Sequence, residues 1–168
     1  MDFNDSAEEA TFRSEAAAWL NANLPSEADL DGLTDMQKAK LWQKRKADAG
    51  WACIRWPQEY GGRGANAIEQ VILNQEEAKL AAPNVGVFSI GQGMAAPTMQ
   101  TWATEEQKKR YLPKLASGEE IWCQLFSEPA GGSDLAALRT KAEKDGDDWI
   151  INGQKIWTSG AQYSDFGI

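Results

Sequence analysis

Two short stretches carry residue types that could hold a flat ligand with a polar edge. Ser127-Glu128-Pro129-Ala130-Gly131-Gly132-Ser133-Asp134 follows directly on the apolar run Ile121–Phe126. Its paired glycines let backbone approach a ligand closely, and the loop offers amides and hydroxyls. A plain Pro/Gly turn between strands is the competing reading, and spacing alone favours it. The loop is no nucleotide P-loop, because no Gly-Lys-Ser/Thr follows. The second stretch, Trp157-Thr158-Ser159-Gly160, sets an aromatic wall beside two hydroxyls. Such a set can stack on a ring and hydrogen-bond its edge. Ser127 and Ser159, each at a strand end, would together rim an aromatic pocket.

A third segment is more ambiguous. Gly91-Gln92-Gly93-Met94-Ala95-Ala96 follows Val85–Ile90, which resembles a strand leading into a dinucleotide fingerprint. The context fails, because no strand–helix–strand alternation surrounds it and Pro97 follows at once. No acid ends a second strand about twenty residues on. Close helix packing, or passage of a ligand tail, is the alternative to a nicotinamide site here.

Composition narrows the chemistry. Histidine is absent from the 168 residues, which removes Ser–His and Cys–His pairs and the commonest zinc ligand. A general base would have to be a carboxylate, Lys, Tyr or Cys. Cys53 and Cys123 are too few for a structural zinc site or a secreted disulfide scaffold, so no metal is expected. Acidic residues outnumber basic ones 25 to 17, giving a net charge of −8. Nucleic acid and acidic lipid surfaces are therefore unfavourable partners. Met1–Asp5 lacks the basic and apolar regions of a signal peptide, and no run approaches the ~18 apolar residues of a membrane span. A reducing, cytoplasmic location and no membrane span are the expectations. The 8 Trp residues point mainly to core filling, with a flat aromatic ligand as the sharper alternative.

The elements that must position these groups change character along the chain. Helices are expected over 6–24, from 34 or 35 to Gly50, over about 66–81 with Ile68, Val71, Ile72 and Leu73 inward, and over about 90–102. Residues 26–33 read as a loop, as does the Trp-, Pro- and Gly-dense stretch 51–64. Lys38, Lys40, Lys44, Arg45 and Lys46 read as a solvated helix face, as do Lys108, Lys109 and Arg110. Thr104-Glu105-Glu106-Gln107 is a capping box opening a helix that Pro113 bends and Gly118 ends. Strands follow at 121–126, 135–144, 149–151 and 154–158, with Asp145-Gly146-Asp147 and Asn152-Gly153 as hairpin turns. The pattern is α+β: an N-terminal all-α helical bundle, then a partial antiparallel β-barrel. The boundary near 118–120 divides a helical domain over 1–118 from an incomplete β domain over 119–168. Asp165–Ile168 reads as another strand beginning, so a fragment, or a sheet completed by something else, is expected.

Glu120–Asp134 resembles the acyl-CoA dehydrogenase signature, and Asn152–Ala161 resembles that family's second flavin segment. Gly50-Trp51, Pro57–Gly62 and Thr104–Lys108 fit the same family in the same order. The variant Trp157–Tyr163 is similar to bacterial members acting on bulky CoA thioesters, including sterol side-chain types. The resemblance implies a helical N-terminal domain, a middle β domain (begun here) and a C-terminal helical domain. It implies FAD as cofactor and an acyl-CoA substrate oxidised to the 2-enoyl-CoA, with hydride passing to flavin N5. It further implies a homo-oligomer, dimer or tetramer, that passes electrons to an electron-transfer flavoprotein or similar acceptor.

Carried over by position, Gln124 to Ser133 would run along the flavin. Backbone near Leu125 and Phe126, with the Ser127 hydroxyl, would bond the ring edge. Trp157 would pack on the ring, Thr158 and Ser159 would complete the segment, and Ser133 would touch the CoA portion. Ser159 near N5 would favour the reduced flavin by roughly 1 kcal/mol. The family's catalytic carboxylate lies in the C-terminal domain, as do groups that hold the rest of FAD, so no catalytic base is assigned in this chain, and the 168 residues alone are expected to bind FAD weakly or not at all and to be inactive. The reading from another class is a non-catalytic interaction module whose open sheet edge pairs with another chain.

Overall fold

A computed structural model describes residues 4–168. The chain divides into two compact units between Glu120 and Ile121.

The first unit is built from six helices. They are α1 (Ala7–Asn23), α2 (Glu27–Leu30), α3 (Asp35–Asp48), α4 (Ala67–Glu77), α5 (Ala96–Trp102) and α6 (Glu105–Ser117). Five of them start at a side-chain cap. Ser6, Ser26, Thr34, Asn66 and Thr104 each accept from the N3 amide, while the N3 carboxylate or amide reaches back. Such reciprocal bonding satisfies two otherwise orphaned donors. The expected loop over 26–33 holds α2 because Ser26 and Asp29 form one of these boxes. α6 runs through Pro113 and ends at Gly118, whose φ of 71° is the left-handed cap.

α1 packs on α4, and α3 on α6. Ala16, Leu20, Trp42, Trp51, Ile54 and Leu73 form the core. Trp19 stacks between Trp42 and Trp51, with ring centroids 5.9 and 5.7 Å away. Core filling thus accounts for much of the Trp content. Two expectations fail on exposure. On α4, Ile72 and Leu73 turn inward but Ile68 and Val71 face solvent, because the stripe meeting α1 is narrower than the apolar run. On α3, Lys46 is buried rather than solvated. Its ammonium sits 2.8 Å from Glu77, which also accepts the Trp42 indole N–H at 2.7 Å, so charge and donor are compensated inside.

The segment 86–102 is helical throughout. A 3-10 turn spans Gly86–Phe88 and a π-helical turn spans Gly91–Ala95, running into α5. No strand leads into Gly91, so the dinucleotide fingerprint has no structural counterpart here.

The second unit holds β1 (Trp122–Cys123), β2 (Lys141–Asp145), β3 (Asp148–Asn152) and β4 (Phe166–Gly167). The α+β order therefore stands, and the described strands form no closed barrel. β2 and β3 make an antiparallel hairpin around Gly146, while β1 pairs with β4 in parallel. The expected meander fails at two points. Residues 135–137 form a 3-10 turn, and 153–158 join no strand. At Gly153 the missing side chain is what matters, since a Cβ there would collide with the backbone and side chain of Thr140. Gly153 thus serves close packing rather than a hairpin turn.

Both cysteines are free and buried, and burial pushes the Cys53 thiol up to about 12. Among the described residues, no cluster of three or more His, Cys, Asp or Glu is placed to hold a metal. Nor is any described helix long and apolar enough to cross a membrane. The leader-peptide reading of Met1–Asp5 rests mostly on residues 1–3, which lie outside the described residues.

Candidate functional site

The two hydroxyl-bearing stretches meet in the second unit. β1 continues as extended chain, with Leu125 N–H donating to Ile168 O at 2.7 Å. After Ser127 the backbone folds over Pro129-Ala130, and Glu128 and Gly131 exchange both of their backbone hydrogen bonds, at 2.7 and 3.1 Å. From the other side, Ile156 N–H donates to Ser127 O at 2.9 Å. That bond replaces the ladder a strand over 154–158 would have made, and it draws Trp157–Ser159 toward Ser127.

Glu128 and Lys155 fasten the junction. The Lys155 ammonium donates to Glu128 Oε1 at 2.8 Å and to Phe126 O at 3.1 Å. The same carboxylate accepts the amides of Arg139 at 2.6 Å and Thr140 at 3.0 Å. The Lys155 ammonium above all, then the hydrogen bonds from Thr140 and Arg139, holds the buried Glu128 carboxyl down at about 2. Every partner of this carboxylate among the described residues is internal, so it serves as an anchor.

What remains open faces outward. Leu125, Phe126 and Trp157 are exposed, Trp157 at 85%. Trp157 is also the one non-glycine among the described residues with a positive φ, 58°, a conformation rare for a bulky side chain. A bond from Ser159 N–H to Trp157 O at 3.0 Å and the left-handed Gly160 close the turn behind it. The backbone N–H groups of Phe126, Ser127, Trp157 and Thr158 meet no acceptor among the described residues. Of the expected ring-edge backbone groups, the Leu125 N–H and Phe126 C=O are already engaged, which leaves the amides of Phe126 and Ser127 and the Ser127 hydroxyl.

Gln124, Ser127 and Thr158 are half-buried and Ser159 is exposed. The structure thus ties 126–128 to 155–156, the residues that immediately precede Trp157. Ser133, exposed beyond the 128–131 turn, has no hydrogen bond to either stretch. Glu128 and Lys155 escape a sequence reading because two charges 27 positions apart carry no spacing signal. Their only mark is adjacency to Ser127 and Trp157.

The helical unit has its own cavity of about 670 Å³. Trp51, Trp56, Leu73 and Val85 line it together with the charged Lys46, Arg55 and Glu77, and with Gln100. The Gln100 Nε2 is buried without a partner among the described residues.

Residues 6–119 match the N-terminal domain of acyl-CoA dehydrogenase, and residues 123–168 match its middle domain. The chain belongs to the acyl-CoA dehydrogenase family. It is 42% identical over 161 residues to acyl-CoA dehydrogenase IpdE1 of Mycobacterium tuberculosis, covering 91% of this chain and 42% of that protein. Among solved structures, the ChsE4-ChsE5 complex from Mycobacterium tuberculosis superposes over 99% of this chain and 43% of its own, with a TM-score of 0.76 and 35% identity. The Tcur3481-Tcur3483 steroid ACAD gives 0.73 and 33%, again over 99% of this chain and 44% of its own. The chain thus spans less than half the length of these relatives. Proteins of this family bind FAD.

Proposed function

We propose that this chain supplies the flavin-contacting portion of an acyl-CoA dehydrogenase that acts on bulky thioesters. The observation that carries the reading is the bond from Ile156 N–H to Ser127 O, which ties the chain just before Trp157 to the Ser127 stretch; both stretches offer open amides and hydroxyls, and the Trp157 indole is exposed. These groups fit an isoalloxazine, which is flat, apolar on its faces and hydrogen-bonding at its edge. FAD, when bound, supplies the hydride acceptor for α,β-oxidation of the thioester. The Phe126 and Ser127 amides and the Ser127 hydroxyl hold the ring edge. Trp157 covers a face. Thr158 and Ser159 place hydroxyls where charge develops on the reduced ring, and Ser133 touches the CoA portion. The reading assigns no proton-abstracting base to this chain. An electron-transfer flavoprotein or similar acceptor, and assembly into an oligomer, complete it.

The substrate class draws support from the helical unit. Its cavity of about 670 Å³ has room for a branched or polycyclic acyl group. The unpaired Gln100 amide offers a donor to an oxygen on such a group.

The test is an NMR titration of the 15N-labelled chain with FAD to millimolar concentration, which detects weak binding. Shifts confined to the amides of Phe126, Ser127, Trp157, Thr158 and Ser159 and to the Trp157 indole are expected. Ser127→Ala should raise the FAD concentration for half-saturation about tenfold, the worth of one good hydrogen bond. Shifts spread elsewhere, or none at all, overturn the reading. With octanoyl-CoA and an electron acceptor, no turnover is expected, and sustained turnover would place a base within these residues.

A second reading has one observation in its favour. The β2–β3 hairpin pairs with no other strand among the described residues and exposes Trp149, Ile150 and Ile151, a surface suited to another polypeptide. Lack of any FAD response together with self-association of the chain would favour this interaction module.

A further inference from the structure

We propose that Glu128 and Lys155 are positioning residues that hold Trp157 out toward its ligand, by pinning the backbone on its N-terminal side and forcing the left-handed turn. The identity of that ligand rests on the flavin reading above.

Three bonds tie residues 155–156 to 126–128. Lys155 donates to Glu128 at 2.8 Å and to Phe126 O at 3.1 Å, and Ile156 N–H donates to Ser127 O at 2.9 Å. On the C-terminal side, Ser159 N–H returns to Trp157 O at 3.0 Å, and Gly160 turns the chain at φ 81°. Trp157 is trapped between two fixed points and adopts φ 58°. A bulky residue does not choose this conformation for itself. Nor does the indole gain by it, since 85% of the residue stays exposed and no ring among the described residues stacks on it. The strain is imposed by the neighbours, and its product is an aromatic plate held away from the protein. Strain that benefits no packing marks a position shaped for use.

The pair does this without touching the ligand. Glu128 is buried with both oxygens engaged, and Lys155 spends its ammonium on Glu128 and Phe126 O. Neither residue belongs to the helical core, so either can be changed without opening it.

The test follows Trp157 by NMR in the 168-residue chain. Its indole signal is assigned by its loss in Trp157→Phe, and its amide by its displacement there. In the wild type, left-handed carbon shifts and an ordered amide are expected at Trp157. Lys155→Met and Glu128→Gln should each move those shifts to extended-chain values and loosen the amide, while the Trp42 and Trp51 signals stay in place. The FAD concentration that half-shifts the Trp157 indole should rise about tenfold in both variants. Lys155→Arg, which keeps the charge and the donors, should restore both signatures. Trp157 that keeps its left-handed shifts and its FAD midpoint in Lys155→Met and Glu128→Gln overturns the proposal. If both variants loosen Trp157 although FAD never moves its signal in the wild type, the positioning pair stands and the flavin reading falls.

Discussion

The two units hold their residues by different means. In the helical unit, Leu20, Trp42, Ile54 and Leu112 are wholly enclosed, and aromatic stacking links α1, α3 and the 51–64 loop. In the second unit, every residue of β2 and β3 is exposed, and the segments carrying the candidate site are joined by hydrogen bonds and one buried carboxylate. Apolar burial is non-directional, so it stabilises a scaffold. Directed polar bonds fix backbone at chosen angles, and that is what presenting amides, hydroxyls and an indole requires.

The sharpest way to break this contrast is to truncate one Trp in each unit. Trp42→Ala removes a fully enclosed ring and the indole bond to Glu77. A loss of about 4 kcal/mol is expected, in the usual range for a buried aromatic. Trp149→Ala removes a side chain that is 61% exposed, and about 0.5 kcal/mol or less should follow. Urea unfolding monitored by helix content measures the first. The dispersion of hairpin amide signals measures the second. Similar losses at the two positions would show that the hairpin has an apolar packing surface of its own in solution.

A pH titration comes next, because it separates polar fastening from packing. The Glu128 carboxyl is held at about 2, against an ordinary unfolded value of about 4.3. A depressed carboxyl contributes stability that is complete above the unfolded value and is lost as pH falls through the folded one. The ordered Trp157 amide should therefore persist at pH 5 and disappear between about pH 4.5 and 2. Glu128→Gln should show no such transition in that window. In the helical unit, Lys79 and then Arg13 hold the Glu76 carboxyl below its ordinary value. Glu76→Gln should flatten part of the helical unit's acid response while leaving the Trp157 transition in place.

Capping is smaller still. Thr104 accepts from Gln107 N–H at 3.3 Å, and Gln107 returns a bond to the Thr104 amide at 2.9 Å. Thr104→Ala should cost about 1 kcal/mol, read as a shift in urea midpoint at unchanged slope.

Legibility follows the same division. Helix starts were readable because a cap is a local device: Ser6, Thr34 and the 104–107 box lie within four residues of what they bond. The α+β order and the Asp145–Asp147 hairpin were readable for the same reason. The residues proposed for the candidate site come from family motifs, which preserve order without geometry. What was lost depended on long-range pairing. The bond from Ile156 to Ser127 crosses 29 positions, and it turned an expected strand into a strained loop. Gly153 read as a turn residue, yet it is required by the approach of Thr140 from thirteen positions away. Lys46 read as solvated because a helix face says nothing of the Glu77 that meets it.

The finest test separates strain from packing at one residue. Trp157 adopts φ 58° with its indole exposed. Glycine adopts that angle freely, so Trp157→Gly relieves a conformational penalty of about 1–2 kcal/mol for an L-residue. It also loosens the unfolded chain, which offsets roughly 0.5–1 kcal/mol. The net should be a stability change from about zero to a gain of about 1.5 kcal/mol, measured by urea unfolding of the second unit's signals. The FAD midpoint should rise about tenfold in the same protein, since the plate over the ring is gone. A stability loss above about 2 kcal/mol would instead assign Trp157 to packing, and the division between a scaffold held by burial and a site held by directed bonds would fail at its most exposed residue.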